Sequence, residues 1–283
     1  MTTAPQPASN SAAPSASQTP SPTAATPVAV PPMSILSFGG GVNSTAMLIG
    51  MYERGIPCDL ILFADTGGEK PETYTHREEF SMWLVEHGYP AIVTVREERW
   101  TLEQECLDKH TLPSIVTGMR SCSDKFKMRP QKRYVAELPQ AMETWKRGES
   151  ITRYIGFDAG EPWRVREAES ARYVNRFLLI EWGWAREECV AAIERHGLAV
   201  PVKSSCFFCS EMQENEIVNL QRDHPELASR AIAMEHNNTA MYGVKGLKRT
   251  TSFEAILDFY DRQGVLPILN MPSRIPCMCY DGE

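Results

Sequence analysis

The rhythm of apolar positions changes partway along the chain. Up to residue 182, short continuous apolar runs alternate with amphipathic stretches, the pattern of buried parallel strands joined by crossover helices. Residues 34–38 read as a first strand running into Gly39-Gly40-Gly41, and helical spacing then extends from about 44 to 54. Residues 60–64 give a second strand, ended by Asp65-Thr66-Gly67-Gly68. Pro71 suits the first turn of the next helix, which runs to about 87, and Gly88 suits its C-terminal cap. Further strands are predicted at 91–95, 154–157 and 177–180. Beyond Gly183 the spacing is helical, over 185–195, 215–222, 226–235 and 253–262. The pattern predicts an α/β fold, a doubly wound, mostly parallel sheet over 34–182. A helical, cysteine-bearing subdomain follows over 183–283, packed on the same domain.

Composition sets apart the N-terminus. Residues 1–33 hold no charged side chain and consist mainly of Ala, Pro, Ser and Thr, too little large apolar surface to offset the entropy of ordering them. This stretch is read as a disordered tail. It lacks the basic start and continuous apolar run of a secretory signal, and no segment has the ~18 consecutive apolar residues of a membrane span. The net charge of −7 argues against a general nucleic-acid coat but permits a local basic groove. Eight cysteines without a secretory signal point to a reducing, cytoplasmic setting, where clustered thiols serve as metal ligands or nucleophiles.

Strand, glycine turn and helix together offer backbone N–H groups and a helix N-terminus to an anion. Three glycines let a phosphate approach the main chain, while Ser44 and Thr45 can cap the helix and offer hydroxyls. The wording Ser37-Phe38-Gly39-Gly40-Gly41-Val42-Asn43-Ser44 resembles the pyrophosphate loop Ser-Gly-Gly-x-Asp-Ser of ATP pyrophosphatases; it lacks the Gly-Lys-Ser/Thr ending of a Walker loop. Gly39 stands for the serine and Asn43 for the aspartate, and the lost charge weakens the expectation of a magnesium ion. Asp65-Thr66-Gly67-Gly68-Glu69-Lys70-Pro71-Glu72-Thr73 is similar to the Asp-Thr-Gly and Pro-Glu-Thr segment of the phosphoadenylylsulfate (PAPS) reductase family. Gly156-Phe157-Asp158-Ala159-Gly160-Glu161, with Arg164 and Arg166, resembles that family's post-strand stretch without its first arginine. The resemblance spans most of 34–182 and implies the adenine-nucleotide α-hydrolase-like fold. It further implies that Ser37, Gly39, Gly40, Gly41, Asn43, Ser44, Thr45, Asp65, Thr66 and Gly67 line a site for ATP, PAPS or adenylylsulfate. Asp65 would position the nucleoside and Arg164 neutralise charge.

Arg120-Ser121-Cys122-Ser123-Asp124-Lys125-Phe126-Lys127-Met128-Arg129-Pro130 is read as a basic loop whose cations stabilise a Cys122 thiolate. It resembles the family's Cys-x-x-x-x-Lys-x-x-Pro stretch. Cys206-Phe207-Phe208-Cys209 has ligand spacing for zinc or an iron–sulfur cluster, and Cys277 and Cys279 form a second close pair. Three readings stand. Cys122, Cys206, Cys209 and a C-terminal cysteine hold a four-iron–four-sulfur cluster; Cys206, Cys209, Cys277 and Cys279 bind zinc; or Cys277 or Cys279 is a mobile nucleophile. His76, His87 and His196 are read as surface or capping residues, and Trp182 and Trp184 as packing the junction.

By resemblance, the chain is expected to be an enzyme of sulfur chemistry. One route adenylates an acceptor with ATP and transfers sulfur to a nucleic acid or nucleotide, drawing on a sulfur donor. The alternative is a sulfonucleotide reductase with a thiolate nucleophile and a thioredoxin-like reductant. A third is a non-catalytic nucleotide-sensing or scaffold subunit with structural zinc.

Overall fold

The computed structural model describes residues 1–4, 31–119, 121–166, 170–238 and 244–263. The described residues from Pro32 onward form one compact unit. Its centre is a five-stranded, all-parallel sheet of order β3-β2-β1-β4-β5, made of β1 Ser34–Ser37, β2 Leu60–Asp65, β3 Ile92–Arg96, β4 Ile151–Tyr154 and β5 Tyr173–Arg176. β1 and β2 are buried along their whole length, as strands covered on both faces must be. The order reverses between β1 and β4, so the loops leaving their C-terminal ends diverge and open a crevice there.

Helix α1 (Val42–Glu53) follows β1 and is buried over most of its circumference; α2 (Pro71–Glu86) follows β2 with Pro71 in its first turn. Gly88, at φ 80°, ends that segment where a side chain would be strained. Next come α3 (Leu102–Asp108), closed by a Thr101–Gln104 capping box, and α4 (Ser121–Ser123). α4 runs through a π-helical turn (Asp124–Met128) into α5 (Arg129–Ala136), and α6 (Pro139–Lys146) leads to β4. α7 (Leu178–Glu181) and α8 (Arg186–Arg195) pack with α1 and α2 on one face of the sheet. α5 and α6 cover the other. α9 (Glu214–Asp223), α10 (Pro225–Asn237) and α11 (Phe253–Gln263) enclose a separate apolar cluster with Phe207 and Phe208.

Three expectations are corrected. The fourth strand lies at Ile151–Tyr154; the 155–157 segment beyond it, with Ile155 and Phe157 buried, is loop. The fifth strand is Tyr173–Arg176, an edge strand of half-buried and exposed positions without an apolar run, whereas apolar 178–181 forms α7 and buries Leu178 and Leu179 beside α1. The segment 121–130 is helical, because Phe126 and Pro130 are buried and hold it against the body. Trp182 and Trp184 pack against Gly50 of α1, where a Cβ would stand 2.4 Å from the Trp182 ring, and Arg54 stacks over both rings. No helix among the described residues is long and apolar enough to cross a membrane.

Candidate functional site

The glycine loop sits at the β1 end of the crevice. Gly40 has φ 75°, open to glycine at little cost, and a Cβ there would stand 2.8 Å from Thr73 Cγ2. Gly41 is the N-cap of α1 and has no side chain to satisfy the first-turn amides, so those N–H groups are presented at the crevice. The Ser44 hydroxyl accepts from Gly39 N–H and donates to Gly41 O, both at 3.2 Å, folding the loop onto the helix. Thr45 is fully buried and donates to Gly41 O at 2.9 Å. Its hydroxyl faces inward, and it meets His76 Nε2 at 2.9 Å. His76 is therefore half-buried and no open surface residue: it lies against Phe38 and Phe80, and burial pushes its pKa down to about 4. The helical spacing Thr73, His76, Phe80 and Leu84 places it on the inward face of α2, a signal that was available in the sequence.

The β4 loop closes the crevice from the other side. Gly156 lies so close that its Cβ would stand 3.2 Å from Ser44 N and 3.3 Å from Ser44 Cα. Asn43 Nδ2 donates to Asp158 Oδ2 at 3.0 Å and approaches Glu161 Oε2 at 3.5 Å. The carboxylate missing at position 43 is thus matched by two from the β4 loop. Glu161 is buried, which raises its pKa, and Arg164 pairs with it at 2.8 Å. Arg164 also lies over the Phe157 ring, so its charge is engaged within the loop. Arg166 donates to Trp163 O and Val165 O. Sequence reasoning missed Arg186, which comes from α8, donates to Asn43 Oδ1 at 3.5 Å and is held below the usual guanidinium range by burial.

Asp65 caps its own turn. One carboxylate oxygen accepts from Gly67 N–H and Tyr74 OH, both at 2.8 Å, and the other lies 3.4 Å from Arg96. Ser37, buried, donates to Gln131 Oε1 at 2.8 Å. A cavity of about 770 Å³ opens beside the loop between α8, the 200–203 segment and α9, and Arg186 belongs to both. Its size is that of pockets that enclose nucleotide-sized ligands. Lys70, Lys203 and His224 also line it, and Asn219 Oδ1 in its wall has no hydrogen-bond partner among the described residues. Ser204, next to Lys203, stands over Gly40 and Gly41.

The thiols gather on the other side of the β2 loop. Cys206 bridges to Glu69, Phe207 N–H donates to Gly68 O at 2.8 Å, and a Cβ on Gly68 would stand 2.7 Å from the Phe208 ring. Thr66 Oγ1 lies 3.2 Å from Cys206 Sγ. Cys122, Cys206 and Cys209 line one small cavity of about 20 Å³ with Thr66 and Lys127. Buried Lys127 faces buried Glu69 at 4.0 Å. The cavity has room for one atom the size of a water or a sulfur. Among the described residues no group of three or more His, Cys, Asp or Glu is arranged to hold a metal, so the cluster and zinc readings draw no support from them. Cys277 and Cys279 lie outside the described residues. No disulfide joins two described cysteines, and burial pushes the thiols of Cys58, Cys106 and Cys189 up to about 12.

No protein-family model matches the chain, and no curated protein matches it in sequence. Among solved structures, a PAPS reductase from Candida auris, in a phosphate complex, is similar at 17% identity and a TM-score of 0.39, over 60% of this chain and 74% of that one.

Proposed function

We propose that the chain binds an adenine nucleotide with its phosphates on the 39–45 loop and uses it in sulfur chemistry, with ATP-dependent sulfur transfer the primary reading. One observation carries the nucleotide reading: an uncapped helix N-terminus behind Gly40 and Gly41 opens into the crevice where the sheet reverses its order. The sequence resemblance of the 37–44 and 65–73 segments supports the same ligand. Gly40 and Gly41 would accept the phosphates on main-chain N–H groups, and Asp65 would hold the 65–68 turn that shapes the pocket floor.

The choice of ATP rests on Asp158 and Glu161 beside Asn43. Asp158 and Glu161 would be the residues to hold a magnesium ion, which would offset charge on the departing pyrophosphate. In this route an acceptor oxygen attacks the α-phosphorus and pyrophosphate leaves. A Cys122 persulfide, charged by a persulfide-level sulfur donor, would then attack with its outer sulfur and displace AMP; Cys206 or Cys209 would cleave the resulting S–S bond, freeing the thiolated acceptor and leaving a protein disulfide for an external dithiol to reduce. Three thiols around a cavity of about 20 Å³ suit the handling of a single sulfur atom. The second reading, a sulfonucleotide reductase, is favoured by Cys122 being less buried than its two neighbours beside a buried lysine. There the Cys122 thiolate would attack the substrate sulfur and expel the nucleotide, leaving an S-sulfocysteine from which a dithiol reductant would release sulfite as it is oxidised to a disulfide. Calorimetric titration with ATP, adenylylsulfate and PAPS, with Gly40→Ala as control, tests both. Binding of ATP alone supports transfer, and preference for a sulfonucleotide supports reduction. Binding of none by the wild type overturns the nucleotide reading.

A further inference from the structure

Arg186 is the first residue of α8, and the chain on either side of it is fixed. Two residues before it, Trp184 O accepts from Ala159 N–H of the β4 loop at 2.7 Å. Three residues after it, Cys189 is fully buried in the core that α8 shares with α1. The guanidinium is half-buried and lines the cavity of about 770 Å³. Its polar contact among the described residues is the 3.5 Å approach to Asn43 Oδ1, and no carboxylate among them stands within ion-pair distance of it. Asp158 and Glu161 attract it from farther off. Withdrawing a guanidinium from water with so little in return is costly unless an anion completes its surroundings.

Asn43 places that anion. Its Nδ2 is turned to Asp158 and Glu161, which leaves the Oδ1 end facing Arg186. Asn43 also belongs to the first turn of α1, whose amides no side chain caps, so a phosphate held on those amides comes within reach of Arg186. The sheet order decides which phosphate this is. β2 and β4 flank β1 on opposite sides. Asp65 shapes the nucleoside end of the site from β2, whereas Arg186 joins Asn43, Asp158 and Glu161 on the β4 side, at the far end of the phosphate chain.

We propose that Arg186 grips the terminal phosphates of the nucleotide, the pyrophosphate that leaves when the acceptor is adenylated. A guanidinium fork meets two phosphate oxygens at once and offsets the charge that gathers on the leaving group. The inference deepens the ATP reading and rests on it.

Calorimetric titration with ATP, AMP and inorganic pyrophosphate, in magnesium buffer, tests the assignment. The proteins are wild type, Arg186→Gln, Arg186→Lys and the control Arg195→Gln, which alters an exposed arginine at the other end of α8 that pairs with Glu53. Thermal melts verify that each variant folds. Wild type should bind ATP and pyrophosphate. Arg186→Gln should bind both at least tenfold more weakly, with its affinity for AMP changed less than threefold. Arg186→Lys keeps the charge but not the fork and should lose at least threefold for ATP, and the control should match the wild type. Wild-type affinity for ATP in both Arg186 variants overturns the proposal and leaves the nucleotide reading standing. So does an equal loss for AMP and ATP, which would put Arg186 at the nucleoside end or in a purely structural role. Binding of none of the three probes by the wild type overturns both.

Discussion

Acidification should loosen this fold through His76. The imidazole is packed against Phe38 and Phe80, and burial holds its pKa near 4. The Thr45 hydroxyl gives its one proton to Gly41 O, so His76 must donate from Nε2 and stays neutral in the native state. In the unfolded chain it titrates near its ordinary value of 6.5. Below that pH the unfolded chain binds the extra proton, so stability is lost as pH falls from 6.5 towards 4. Each unit is worth about 1.36 kcal/mol, which gives an upper bound of about 2 kcal/mol between pH 6.5 and 5. Partial exposure of the ring reduces this to about 1–2 kcal/mol. The assay is urea unfolding at pH 7, 6 and 5 of wild type and His76→Gln, whose amide can still donate to Thr45. His236, which Glu254 shifts upward, is common to both proteins and cancels in the comparison. The wild type should lose stability more steeply than the variant over this window. Parallel slopes would refute the burial argument.

Other consequences can be checked directly. Gly156→Val would drive side-chain carbon against the Ser44 main chain, where even a Cβ is at 3.2 Å. It should weaken ATP binding at least tenfold while costing about 1–3 kcal/mol of stability, read by calorimetry and by melting. Glu235 of α10 accepts from Leu247 and Phe253 N–H groups and caps α11 from another helix. Glu235→Ala should destabilise by about 2–4 kcal/mol in urea unfolding, since removing the acceptor leaves buried N–H donors unpaired. Iodoacetamide followed by peptide mass spectrometry should label Cys122 before Cys58, Cys106 and Cys189, whose buried thiols resist ionisation.

The sheet was legible where strands are buried on both faces. β1 and β2 announce themselves as apolar runs, and the glycine loop follows from Gly39-Gly40-Gly41. β5 was not legible, because an edge strand needs no apolar run and its Tyr-Val-Asn-Arg carries none. The convergence of Cys122 with Cys206 and Cys209 was expected from residue type, and the three do share a cavity. What tertiary contact alone decides stayed hidden: Arg186 reaching Asn43 from α8, Arg164 spent on Glu161, and Lys248 clasping Ser210 and Met212 carbonyls.

The π-helical turn at Asp124–Met128 sets an angular relationship that no regular helix could give. Cys122 and Lys127 are five residues apart. At about 100° per residue an α-helix would turn them about 140° away from each other. A wider turn overlays positions i and i+5 instead, and both side chains enter the same small cavity. The helix thus carries one residue more than regular winding would use over this stretch. Rewinding the same residues as a regular α-helix would tidy the hydrogen bonding, yet swing the thiol and the ammonium about 140° apart around the cylinder. Irregularity in the winding is what keeps sulfur and positive charge in phase.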